Sequence, residues 1–149
     1  MPPLPPLTKW LMIVCTAIFL VEQLLGSVFP LSLWFALWPI ESGLFYPWQL
    51  VSYAFLHGTV SHLIFNMLGL WMFGAELERL WGQQRFWQIL LASVLTAAMA
   101  QLLLTYALGS HGPTVGASGA IYGLLLAYAL VFPRRQFDLL DQTTYHIVK

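Results

Sequence analysis

The chain has 149 residues, 59% hydrophobic and 8% charged, with a formal net charge of zero. Soluble domains carry about 25% charged residues, and so few charges cannot cover a water-facing surface of this size, so the chain uses lipid as its solvent. The zero balance excludes nucleic acid as an implied partner, and the single cysteine, Cys15, excludes an internal disulfide.

The opening "MPPLPPL" is proline-rich and reads as extended or disordered chain. A first apolar run follows from Trp10 to about Val28, with Glu22 and Gln23 inside it. Lys9 precedes it, but no small-x-small cleavage site follows, so it reads as a membrane anchor and not a signal peptide. Phe29 to Gly58 holds Trp34, Trp38, Trp48 and Tyr46, interrupted by Pro30, Pro39 and Pro47. Tryptophan and tyrosine favour the membrane–water boundary, which predicts an interfacial loop with short helical pieces. The second apolar run, about Ser61 to Ala75, reaches the roughly 20 residues a spanning helix needs only by extending into "AFLHGTV" or "ELERLW". A third run covers Phe86 to Leu108 and a fourth Val115 to Phe132.

All six basic residues fall on one side of this pattern. Lys9 flanks the start, Arg79 and Arg85 join the second and third runs, and Arg134, Arg135 and Lys149 follow the fourth. The other two connections contain none, so the positive-inside rule places both termini inside. The fold class is therefore all-α: a polytopic membrane helix bundle of about four transmembrane helices. Residues 1–133 form the membrane domain and 134–149 a polar C-terminal tail.

Chemistry concentrates in two stretches. In "HGTVSHLIFN", His62 and Asn66 are four residues apart and share a helix face. In "GASGAIYG", Ser118 opens a helix between Gly116 and Gly119, with Tyr122 one turn on. At ~1.5 Å rise per residue, Ser118 lies about 21 Å from Phe132, and Asn66 and His62 about 20 and 26 Å from Arg79. The three polar groups thus share one depth in a hydrocarbon core of ~30 Å. A helix N-terminus stabilises an anion through free N–H groups and its dipole, and His62 and Asn66 supply further donors. That pattern points to acyl transfer with Ser118 as nucleophile. A serine between glycines is also ordinary packing material in membrane helices, and Gly119 and Gly123 form a small-xxx-small pair. The coincidence of depth favours a site.

These residues resemble the rhomboid family of intramembrane serine proteases. "HGTVSHLIFN" matches its H-x4-H-x3-N signature and "GASG" its G-x-S-G nucleophile motif, in the family's order, and "PWQLVSYAFLH" and "ELERLWG" resemble the flanks. The resemblance implies Ser118 as nucleophile, His62 and Asn66 as oxyanion residues with the Ser118 N–H, and His57 as a structural support. It implies Tyr122 as the ring that stacks on a general-base imidazole, and Gly116 and Gly119 as the motif glycines. It implies no metal and no cofactor, transmembrane-helix client proteins as substrates, and a bacterial cytoplasmic membrane as the setting.

Two departures accompany it. Gln49 follows Trp48 where the family often has arginine, which leaves the anchoring of the long loop open. The family's base is a histidine on a sixth helix, and the polar "RRQFDLLDQTTYHIVK" is too short to span twice. His146 lies across the membrane from Ser118, and His111, in an outer loop, has no fixed support. The general base is therefore unknown, and a truncated, inactive product is expected. The competing reading is a non-catalytic protein that binds client helices, ahead of a pore-forming one. A Gly119/Gly123 face open to lipid also predicts homo-oligomers or misfolding.

Overall fold

The computed structural model describes residues 3–131. Among them the chain is helical, with one isolated bridge between Leu37 and Thr114.

Helix α1 (Pro6–Leu25) begins earlier than the apolar run suggests, so Pro6 and Leu7 of "MPPLPPL" are helical and not extended. Proline suits the first helical position because it has no N–H to leave unpaired. The next two donors, Leu7 N and Thr8 N, bond to the Glu78 carboxylate at 2.9 and 2.7 Å, and Thr8 Oγ1 adds a third bond at 2.7 Å. Glu78 thus caps α1 from another helix, which fixes the start of α1 beside that helix.

The connection to the second long helix contains the expected short pieces: α2 (Leu31–Phe35), a 3₁₀ turn (Ile40–Ser42), α3 (Gln49–Ser52) and a second 3₁₀ turn (Tyr53–Phe55). Gln49, the departure from the family pattern, is completely buried. Its amide donates to Trp34 O (3.2 Å) and Leu44 O (2.9 Å), and its carbonyl accepts from Trp38 N (3.2 Å). A neutral amide therefore anchors this loop. Outside it, Trp34, Tyr46 and Trp48 stack with centroids 6.1 and 4.6 Å apart.

Helix α4 (Val60–Gly69) passes through a π turn (Leu70–Gly74) into α5 (Ala75–Leu108). Val60–Leu108 and α1 are each long and apolar enough to cross a membrane. Gly82, at φ 80° and ψ 169°, breaks the longer stretch. The result is two helices, 60–81 and 83–108, folded against each other; Phe86 lies 3.4 Å from the Cβ position of Gly74. The "ELERLW" extension expected of the second span is helical. Gly109, at φ 65°, ends α5 with a left-handed turn closed by Ser110 N to Thr105 O.

Helix α6 (Ser118–Val131) sits between these two. Beside Gly69 and Gly74 lie Ile121 and Leu124, in parallel order, and against Ala97 and Ser93 lie Gly119 and Gly123, in antiparallel order. The small-xxx-small pair is therefore not left open to lipid. It meets a matching small pair on α5, because an added Cβ at Gly119 or Gly123 would strike Ala97 or Ser93. Cys15 is a buried core residue. The tail 134–149, with His146, lies outside the described residues.

Candidate functional site

Thr59 starts the site. Its Oγ1 accepts from His62 N at 3.1 Å, an N-cap that fixes the first turn of α4. One turn further in, Asn66 shares the face of His62 and is 6% exposed. Ser118 is the first residue of α6. Parallel packing of α4 and α6 brings the three together: Ser118 Oγ lies 3.3 Å from Asn66 Oδ1 and 3.2 Å from His62 Nε2. With the serine hydrogen directed to Asn66 Oδ1, His62 Nε2–H donates to the serine oxygen. Asn66 Nδ2 is a buried donor without a partner among the described residues.

Gly116 explains why a glycine precedes the serine. Its φ of 111° suits glycine alone, and a Cβ there would collide with His62 Cε1 and lie 2.7 Å from Nε2 and 3.5 Å from Asn66 Nδ2. The missing side chain is the space that lets α6 approach the histidine.

His57 is 2% exposed and packs edge-on against His62, with centroids 5.2 Å apart. Neither ring nitrogen has a hydrogen-bond partner among the described residues. It lies in the connection before α4, and its pKa is lowered to about 4, first by burial and then by the charge of His62. The Phe55 carbonyl opposes this from outside hydrogen-bond geometry. His57 is thus neutral at pH 7.

Gly119 lies half-buried against Ala97 and 3.5 Å from Tyr53 Oη by its Cβ position. Tyr122 is 72% exposed, on the rim of a groove of ≈520 Å³ that also holds Ser93, Ala97, Gly119 and Gly123. His111 is exposed in the loop after α5. Among the described residues, no three His, Cys, Asp or Glu side chains cluster as a metal would require.

Sequence reasoning missed Tyr53. Its carbonyl accepts from Gly116 N at 2.9 Å and its hydroxyl donates to Val94 O at 2.7 Å. No motif marks it, since its partners are backbone atoms far along the chain. The Thr59 cap, three residues before His62, was legible in principle.

A helical membrane bundle with a serine at a helix N-terminus, flanked by histidine and asparagine donors from a parallel helix, defines an integral membrane protein with a serine-centred polar site. The family model "Rhomboid domain" matches residues 44–148. The chain is 32% identical over 122 residues to a protein named rhomboid protease GlpG from Klebsiella pneumoniae, covering 80% of this chain and 41% of that one. It is 33% identical over 121 residues to the GlpG of Serratia proteamaculans, with the same coverage. It is 39% identical over 92 residues to rhomboid protease GluP of Bacillus subtilis, covering 60% of this chain and 17% of that protein. The chain belongs to the rhomboid family, and it spans well under half the length of these relatives.

Proposed function

We propose that this chain carries the nucleophile and oxyanion site of an intramembrane serine endopeptidase that cleaves transmembrane helices of client proteins. The observation that carries this reading is the contact of Ser118 Oγ with both His62 and Asn66 at the start of α6. On attack, Ser118 Oγ bonds to the scissile carbonyl carbon, whose oxygen becomes an anion. The donors around it are His62 Nε2–H, the unpaired Asn66 Nδ2 and the Ser118 N–H, in a site lined by lipid-facing helices. The names of the relatives support the class of reaction.

Ser118 also needs a base. The orientation that makes His62 a donor commits it to the oxyanion. His57 touches His62 and not Ser118, and His111 is exposed. Among the described residues no base for Ser118 is thus assigned, and the described site by itself is expected to cleave no client. A serine in an oxyanion site without its base retains part of its reactivity, so a fluorophosphonate probe should label slowly and only through Ser118. Rapid Ser118-dependent labelling overturns the inactivity. Labelling that survives Ser118→Ala, or none at all, overturns the site.

A second reading, a non-catalytic binder of client helices, is favoured by the groove between α5 and α6 with Tyr122 on its rim. A photo-crosslinker at position 122 should then capture a single-span client without a cleavage product. Basic residues and bacterial relatives support a cytoplasmic membrane with both termini inside; terminal fusion reporters active only in the cytoplasm test this.

A further inference from the structure

We infer that Tyr53 is a positioning residue for the Ser118 site, holding Gly116 at the depth where His62 and Asn66 close around the serine oxygen. The inference rests on the reading of Ser118 as a nucleophile.

Tyr53 is 3% exposed and touches three parts of the molecule. It belongs to the loop between α1 and α4. Its carbonyl accepts from Gly116 N at 2.9 Å, and its hydroxyl donates to Val94 O of α5 at 2.7 Å. The same hydroxyl lies 3.5 Å from the Cβ position of Gly119. One residue therefore contacts the glycines on both sides of Ser118 and ties them to α5. A buried tyrosine needs a partner for its hydroxyl, and here the partner lies 41 residues away in sequence.

Gly116 has no side chain by which to be held. Its place depends on its N–H bond to Tyr53 and on the bridge two residues earlier, where Thr114 and Leu37 exchange two bonds of 2.9 Å. Its Cβ position falls on the His62 ring and 3.5 Å from Asn66 Nδ2. A shift of the Tyr53 carbonyl is thus passed to Gly116 and then to the donors. The hydroxyl fixes that carbonyl laterally by pinning the ring to α5.

Loss of the hydroxyl alone should not unfold the chain. Val94 O belongs to the α5 ladder and gives Tyr53 only a further lone pair. Tyr53→Phe keeps the ring in the core and strands no buried acceptor.

The test uses the purified chain in detergent with phenylboronic acid, followed by boron NMR. The Oγ lone pair forms a bond to trigonal boron, the hydroxyl proton passes to solvent, and boron becomes tetrahedral, so no general base is required. The expected result is an adduct absent in Ser118→Ala. Tyr53→Phe should bind about tenfold more weakly, the scale of loss expected when a reacting group is misplaced, with an unfolding midpoint near the parent's. Leu77→Ala, a buried change about 16 Å along the helix from Asn66 at ~1.5 Å per residue, should lower the midpoint and keep the parent's affinity. Parent-like affinity in Tyr53→Phe overturns the inference. So does affinity that simply follows the midpoint across both variants, or a Tyr53→Phe chain that does not fold. If the parent forms no Ser118-dependent adduct, the reading of the serine itself fails.

Discussion

Replacing Gly116 by alanine separates the chemical role of that position from its conformational one. Two costs apply. A non-glycine residue in a sparsely populated backbone region costs about 1–3 kcal/mol, and φ at Gly116 is 111°. The added methyl would also collide with His62 Cε1 and lie 2.7 Å from Nε2, and overpacking of this kind costs about 1–3 kcal/mol. Together these give about 2–6 kcal/mol, and relief requires the imidazole to swing away from Ser118 Oγ. Gly43 supplies the control, because its φ is 78° and a Cβ there meets nothing within 4 Å. Gly43→Ala should therefore show the backbone cost alone. The assay is denaturant unfolding in mild detergent alongside fluorophosphonate labelling of both variants and the parent. Gly116→Ala should lose more stability than Gly43→Ala and should lose Ser118 labelling, while Gly43→Ala keeps it. Equal stability losses with labelling retained in Gly116→Ala would refute the close approach of α6 to His62.

Gln49→Leu should destabilise the chain by about 1–4 kcal/mol, since it leaves the part-buried Leu44 O and Trp38 N without their partner at about 1–3 kcal/mol each with partial relaxation, while Trp34 O keeps its bond from Trp48 Nε1; a parent-like unfolding curve would show that the loop is held by other contacts. Glu78→Ala should cost about 2–4 kcal/mol and fray the start of α1, because Leu7 N and Thr8 N lose a charged acceptor; hydrogen exchange at residues 7 and 8 reads this directly. Gly123→Val should force α5 and α6 apart at Ser93, and a Cys pair at positions 97 and 119 that crosslinks as readily with Gly123→Val as without it would contradict that packing. His57 is held neutral, with its pKa lowered to about 4 against an unfolded value near 6.5. Between those values the unfolded chain binds more protons, so stability is fully present above about pH 6.5 and falls as the pH drops toward 4. The loss should be about 1–3 kcal/mol after allowing for partial solvation, and His57→Phe should flatten this part of the profile.

The membrane class, the number of long apolar runs and the pairing of "HGTVSHLIFN" with "GASG" follow from sequence alone, because they depend on composition and on helical rise. A rise of ~1.5 Å per residue fixes depth along a helix axis, so Ser118, Asn66 and His62 could be set at one level before any packing was known. Rotation about the axis and the choice of neighbour were not fixed by that rise. Tyr122, four residues after Ser118, lines the groove beside α5, a neighbour that no spacing along α6 names. Gly119 and Gly123 looked like an open face, and only the antiparallel approach of Ala97 and Ser93 covers them. Gln49, Glu78 and Tyr53 act on backbone atoms that carry no sequence mark, so their partners became visible only when distant segments were brought within hydrogen-bond reach. What the sequence by itself determined was the solvent, the depth and the chemical types of the site. What the tertiary structure alone decided was which surfaces meet, because side-chain contact depends on helix rotation and packing, which no spacing of residues along one helix contains.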